Sequence, residues 1–166
     1  MLKMSRLSCR TLNTVLVASI ASQVVGKVRA QQSSEDRDAI HEVLAGYYDA
    51  FARDAGAAAA YYGEPALMVF PNEVLTLPTR KDAETFLAKV LGGLKTLGYS
   101  KSKLATPRIK MLNPTTALYG AVAIRMKTDG TELQRAGFIY LLHKGSAGWK
   151  INGLIATDLD KLISSD

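Results

Sequence analysis

The chain has 166 residues, 48% of them hydrophobic and 22% charged, an ordinary composition for one globular domain with its own core. Its formal charge of +6 is unevenly placed: residues 1–30 hold Lys3, Arg6, Arg10, Lys27 and Arg29 and no acid, which leaves sixteen basic and fifteen acidic side chains for the rest. A body this close to neutral offers no footprint for nucleic acid.

The first 30 residues read as a targeting segment. A basic start is followed by the moderately apolar run Thr11–Val25, and Val28-Arg29-Ala30 places small residues where a signal peptidase cuts. The run is too short and too polar to span a membrane. Export, to the periplasm or outside the cell, is the expected destination. An acid-free start with Ser and Arg also fits an organelle transit peptide, and an uncleaved extension is the plain alternative. Cys9 is the only cysteine, so a chain without this leader has neither disulfides nor thiol chemistry.

Gln31-Gln32-Ser33-Ser34 reads as a polar linker whose serines can cap the next element. Glu35, Asp36 and Asp38 favour a helix start through its dipole. Ile40, Val43, Leu44, Tyr47, Tyr48 and Phe51 then recur at helical spacing on one face, up to Asp54. Ala57–Tyr62 is expected as a short second helix stopped by Gly63 and Pro65. Ala66–Phe70 and Val74–Leu77 form a small hairpin. Thr79 caps a third helix, with Asp82 in its first turn and an apolar face of Ala83, Phe86, Leu87, Val90, Leu91 and Leu94.

Four long strands close the chain: Tyr99–Leu112, Thr116–Thr128, Glu132–Lys144 and Gly148–Thr157. They are separated by Asn113-Pro114, by Asp129-Gly130 and by Lys144–Gly148. Asp-Gly between two apolar runs is a strong hairpin signal, because both turn residues take positive φ. Leu159–Asp166 is a polar tail. The fold class is α+β, with N-terminal helices packed on a curved, mostly antiparallel sheet.

This order resembles the nuclear-transport-factor-2-like cone fold and its SnoaL-like branch over residues 35–163. The resemblance is carried by Tyr47-Tyr48-Asp49-Ala50-Phe51-Ala52-Arg53-Asp54, by Leu67-Met68-Val69-Phe70-Pro71 and by Gly148-Trp149-Lys150-Ile151. It implies a sheet wrapped around the long helix and a cone-shaped pocket open at one end. Relatives include ketosteroid isomerases, epoxide hydrolases, polyketide cyclases, dehydratases and pocketed domains without assigned chemistry, so fold alone does not choose a function.

Tyr47 falls where isomerases of this fold place the tyrosine that hydrogen-bonds the oxyanion. Tyr48 is its neighbour, and at most one of the two is expected to point fully into the pocket. Phe51 has packing as its simplest role. Tyr61 and Tyr62 end the short helix, so a lining role at the pocket mouth is expected for one of them, and Tyr61 is the candidate. Phe70 stands where the isomerases carry their general-base Asp, just before Pro71. Arg125 and Arg135 lie inside strands with no mid-strand carboxylate, which suits an anion or carbonyl clamp, a solvent edge or a dimer contact equally. Trp149 is either core or pocket wall. His41 and His143 are too far apart, and without acids at ligand spacing, to signal a metal. No phosphate loop, nucleophile elbow or other cofactor motif is present.

Two functions follow as expectations. One is a non-catalytic pocket for a small apolar or carbonyl- or carboxylate-bearing ligand. The other is an isomerase, cyclase or dehydratase working with a pocket Tyr and Arg. The strand Glu132–Lys144 is apolar on both faces, with Ala136, Phe138, Tyr140 and Leu142 on one and Ile139 and Leu141 on the other. A homodimer through the sheet is expected to cover the second face. Removal of the leader is expected to leave Gln31 or a near neighbour first. N-terminal sequencing of protein from its own host checks this, and an intact Met1 in mature material would refute it.

Overall fold

The computed structural model describes residues 12–164, and two compact units divide between Asp36 and Arg37. Lys3, Arg6, Cys9 and Arg10 lie outside the described residues. The helix α1 runs over Leu12–Arg53. It passes through Gln31–Ser34, where the sequence suggests a linker. Nothing in Gln-Gln-Ser-Ser breaks a helix, and Ser34 does not act as a cap. Its Oγ donates to the Gln31 carbonyl at 2.8 Å, one turn back, while Gln31 Nε2 donates to Glu35 Oε1 at 3.2 Å. Among the described residues no helix is long and apolar enough to cross a membrane.

In the second unit, α1 is followed by α2 (Ala55–Ala59), β1 (Tyr62–Phe70), β2 (Glu73–Leu77), α3 (Arg80–Thr96), β3 (Tyr99–Asn113), β4 (Thr116–Lys127), β5 (Glu132–Gly145) and β6 (Gly148–Thr157). The four long strands lie within a residue or two of the expected spans. Asp54 caps α2 by accepting from the Ala57 amide. Thr79 and Asp82 form a reciprocal capping box at the start of α3.

The short helix ends earlier than expected, and Tyr62 opens β1. Gly63 and Pro65 read as breakers, yet both sit inside that strand. The pairing of β1 with β6 explains this: it steps from Tyr62↔Ile151 to Leu67↔Gly153, so the Gly63–Ala66 stretch bulges out of the ladder. Proline costs no ladder hydrogen bond at such a place.

The six strands form one sheet in the order β2-β1-β6-β5-β4-β3, antiparallel except for the parallel β1–β6 pair. Three register shifts interrupt β3 against β4, and Thr106, just before Pro107, takes φ 50° at the middle one. Such bulges bend and twist a sheet, and here they curl it. Ala117, Tyr119, Ala121 and Ala123 of β4 and Phe138, Tyr140 and Leu142 of β5 face inward. Ile40, Leu44, Tyr47, Tyr48 and Phe51 of α1 and Ala83, Leu87, Leu91 and Leu94 of α3 join them in one core. Each fully buried aliphatic side chain there is worth about 1.5–3 kcal/mol.

The tail is not merely a solvated end. After β6 the chain turns at Asp158, whose carbonyl accepts from the Lys161 amide at 3.1 Å. Ile163 then lies over Gly120 on the outer side of β4, and Arg108 Nη1 donates to the Ile163 carbonyl at 3.4 Å. The end of β6 also crosses Gly137, where an added Cβ would sit 2.7 Å from the Thr157 carbonyl oxygen and 2.9 Å from that of Asp158. These are backbone atoms, with no flexible side chain to give way. Gly137→Ala is therefore expected to cost about 1–3 kcal/mol, read as a lower urea midpoint. Gly145→Ala, with no atom within 4 Å of the new Cβ, should leave the midpoint unchanged or slightly raised. Equal midpoints for the two variants would refute the packing argument.

Candidate functional site

Between α1, α3 and the inner face of the sheet lies a cavity of about 70 Å³. Helix α1 contributes Tyr47, Tyr48 and Phe51, and α3 contributes Phe86, Leu87 and Val90. From the sheet come Tyr62 and Phe70 of β1, Arg125 of β4, Phe138 and Tyr140 of β5 and Leu154 of β6. Both tyrosines of the Tyr47-Tyr48 pair line the space, against the expectation of at most one. Successive helix residues are about 100° apart, and a sheet that curls round the helix covers an arc wide enough for both.

The polar groups of this wall are mostly phenols, arranged in two pairs. The hydroxyls of Tyr48 and Tyr140 make a short hydrogen bond, and Tyr62 Oη donates to Tyr47 Oη at 3.3 Å. The rings hold one another edge to face: the Tyr47 centroid is 5.0 Å from that of Tyr48 and 5.5 Å from that of Tyr62. Each pair owns two hydroxyl protons and spends one internally, which leaves one donor per pair for something else. Burial holds all four phenols neutral. It pushes Tyr47 up to about 12, with the Tyr62 hydrogen bond and the Arg125 charge pulling weakly the other way. It raises Tyr48, Tyr62 and Tyr140 as well.

Arg125 points inward because it keeps the alternation of Ala121 and Ala123 along β4. It is half-buried, and among the described residues no carboxylate pairs with it. Its charge is near enough to favour the ionised forms of Tyr47, Tyr48 and Tyr99. No carboxylate lines the cavity. Glu73 is exposed at the end of the β1–β2 hairpin, and Asp158 is exposed and bound to Lys161 Nζ at 2.8 Å. Phe70 does stand at the cavity wall, with its ring 6.0 Å from that of Phe86.

Three of the residues named from sequence lie elsewhere. Arg135 is exposed and binds Glu132 through two hydrogen bonds of 2.9 Å. The register explains it: Arg125 faces Gln134 and Arg135 faces Ile124, so the two arginines fall on opposite faces. Counting outward from Asp129-Gly130 would have revealed this. Tyr61 packs over Gly46, where any Cβ would strike its ring. Trp149 is buried in the core opposite Lys144, whose Nζ lies 6.0 Å from the ring centre. The sequence points to Tyr61 rather than Tyr62, and it does not mark Phe86, Leu87, Val90, Phe138, Tyr140 or Leu154 as site members. The alternation of Phe138 and Tyr140 marked an inward face, but no local signal told which inward residues meet Tyr48. Among the described residues, no three His, Cys, Asp or Glu side chains come together as a metal site would require.

Residues 34–159 match the family model described as NTF2-like protein (DUF6841). An NTF2-like protein with a cystatin-like fold from Novosphingobium aromaticivorans superposes with a TM-score of 0.66 at 18% identity, covering 84% of this chain and 90% of that one. A domain of unknown function with a cystatin-like fold from Nostoc punctiforme gives 0.61 at 23% identity, covering 74% and 76%. An NTF2-like protein of unknown function from Shewanella oneidensis gives 0.60 at 21%, covering 74% and 98%. At these identities the likeness is one of fold. No curated protein matches the chain.

The raised phenols set a pH dependence. A tyrosine bound more tightly to its proton in the folded state than its ordinary 10.0 contributes stability that is complete below pH 10. That stability is lost as pH rises through the folded value, about 12 for Tyr47. Urea midpoints should therefore fall from pH 10 upward. Tyrosinate absorbance in native buffer should show the four cavity tyrosines still protonated near pH 10 and ionising only on unfolding. Smooth titration of all seven tyrosines near pH 10 with the fold intact would refute the burial assignment.

Proposed function

The chain belongs to the NTF2-like protein family DUF6841, and from that premise we propose that it is a small-molecule-binding domain whose pocket carries out no reaction. The observation that supports this is the make-up of the cavity wall: phenol donors, aromatic and aliphatic faces and one guanidinium, with no carboxylate. Proton abstraction needs a base in reach of the proton and tuned near the working pH. A phenol pushed up to about 12 is a donor at neutral pH and not a base. Phe70 occupies the position where the isomerase-like resemblance would call for an Asp. Donors without a base hold a carbonyl or an anion and leave it unchanged.

The ligand is small. At roughly 10–15 Å³ for each water-sized centre, a cavity of about 70 Å³ takes about five to seven non-hydrogen atoms. The apolar walls ask for an apolar body, and the hydroxyls ask for an acceptor at one end.

Cyclopentanone, a compact ring with one carbonyl, is a suitable probe. Titrated into the protein, it should shift the NMR signals of Tyr47, Tyr48, Phe138 and Tyr140 and spare those of Trp149 and Arg135. Tyr47→Phe or Tyr48→Phe should weaken its binding by about 1 kcal/mol, the worth of one hydrogen bond. Leu87→Trp, which fills the space, should abolish it. No response of any wall residue to cyclopentanone, to toluene or to a short-chain carboxylate would remove the reading.

A further inference from the structure

We propose that the physiological ligand of this cavity is a small monocarboxylate, held at its charged end by Arg125 and by the unspent hydroxyl protons of the Tyr47–Tyr62 and Tyr48–Tyr140 pairs. The inference rests on the pocket reading above and names the ligand class for that pocket. Three independent counts lead to it. The first is charge. Arg125 faces a wall of phenol, aromatic and aliphatic groups with no carboxylate among them. A cation turned toward such a wall is left without the counter-charge that half-buried charges normally have. One guanidinium matches one negative charge; a dianion such as a phosphate monoester would bring a second charge that no other cavity residue meets.

The second count is hydrogen bonds. Tyr62 donates to Tyr47, so the Tyr47 proton is free to leave the pair; the Tyr48–Tyr140 pair likewise has one proton to spare. The wall thus offers two neutral donors besides the guanidinium fork. The side-chain acceptors in the cavity are the phenol oxygens, and each pair already uses one of them. A carboxylate has two oxygens and about four lone-pair sites, and it accepts from all of these donors at once. A neutral carbonyl satisfies the hydroxyls and leaves the guanidinium unmatched. An amine or an alcohol adds donors where donors are already in surplus.

The third count is volume. With room for about five to seven non-hydrogen atoms, three of them taken by the carboxylate, the body is a short or branched chain of a few carbons. Phe70, Phe86, Leu87 and Phe138 supply apolar walls for it.

The test compares isovalerate with isovaleramide, which has the same shape and no charge, by calorimetry on the full chain at neutral pH. Isovalerate should bind about 10- to 100-fold more tightly, the range for a charge-assisted pair replacing a neutral one. Raising the salt should narrow the gap. In Arg125→Met the ratio should fall several-fold, to the remainder set by the N–H donors that the amide adds, while isovaleramide keeps its affinity; in Arg125→Lys more of the preference should survive, since the charge remains and the planar fork is lost. Equal binding of the two probes to the unaltered protein overturns the carboxylate inference and leaves the pocket reading standing. A preference undiminished in Arg125→Met overturns the role of Arg125. Failure of isovalerate, isovaleramide and cyclopentanone alike to bind removes the pocket reading itself. The comparison on unaltered protein decides the main point even if a variant fails to fold.

Discussion

The domain depends on one contact: the apolar face of α1 from Ile40 to Phe51 lying inside the curled sheet. A sheet with β4 and β5 this apolar on their inner side must be covered, and a helix in the hollow is the cover. Small residues alternate there with large ones. Ala117, Ala121 and Ala123 bring little bulk to β4, while Tyr119, Phe138 and Tyr140 bring rings that reach toward the helix. Tyr119 meets the His41 ring at 5.4 Å and Phe51 meets Tyr99 at 6.1 Å. Arg37 Nη1 adds a 3.0 Å hydrogen bond to the Ile109 carbonyl at the other end of this stretch of helix. The cavity is what remains where α3 and the sheet do not close completely on α1.

Phenols solve a problem that this arrangement creates. A cavity wall that buries large apolar area cannot carry unpaired carboxylates or amides without stranding them. Tyrosines in pairs satisfy each other at low cost, and among the described residues no buried side-chain nitrogen or oxygen is without a partner. Their rings meanwhile serve as core. Tyr48 and Tyr140, buried and hydrogen-bonded, are as much a part of the packing as Leu44 or Ile151.

Most of the fold was legible in the sequence because its punctuation is local. Asn113-Pro114, Asp129-Gly130 and the Lys144–Gly148 stretch mark turns whatever surrounds them, and the α1 and α3 faces declare themselves by spacing alone. The failures come from the register and phase of strand pairing. Gly63 and Pro65 look like breakers until β6 is known to skip past them. Tyr61 and Tyr62 exchange roles through a single residue of phase, since one covers Gly46 and the other enters the cavity. Arg125 and Arg135 look equivalent along the chain and differ only through the β4–β5 register. Tyr47, Tyr48, Phe51 and Phe70 reach the cavity wall from a helix face or a strand alternation that already points inward.

The unmatched guanidinium has a bearing on how this domain would respond to selection. Partly desolvating a charge opposes folding, and an apolar side chain in place of Arg125 avoids that cost. A hydrophobic residue at position 125 would complete the apolar wall of β4 and tighten the pocket around nothing. Screens that reward heat resistance alone would then drift away from arginine at this position, whereas, if the proposed carboxylate binds, screens run in its presence would hold it in place. A guest that binds only the folded state raises stability with its own concentration. On this reading, the hardiness of the domain is a property of the solution it inhabits as much as of its sequence.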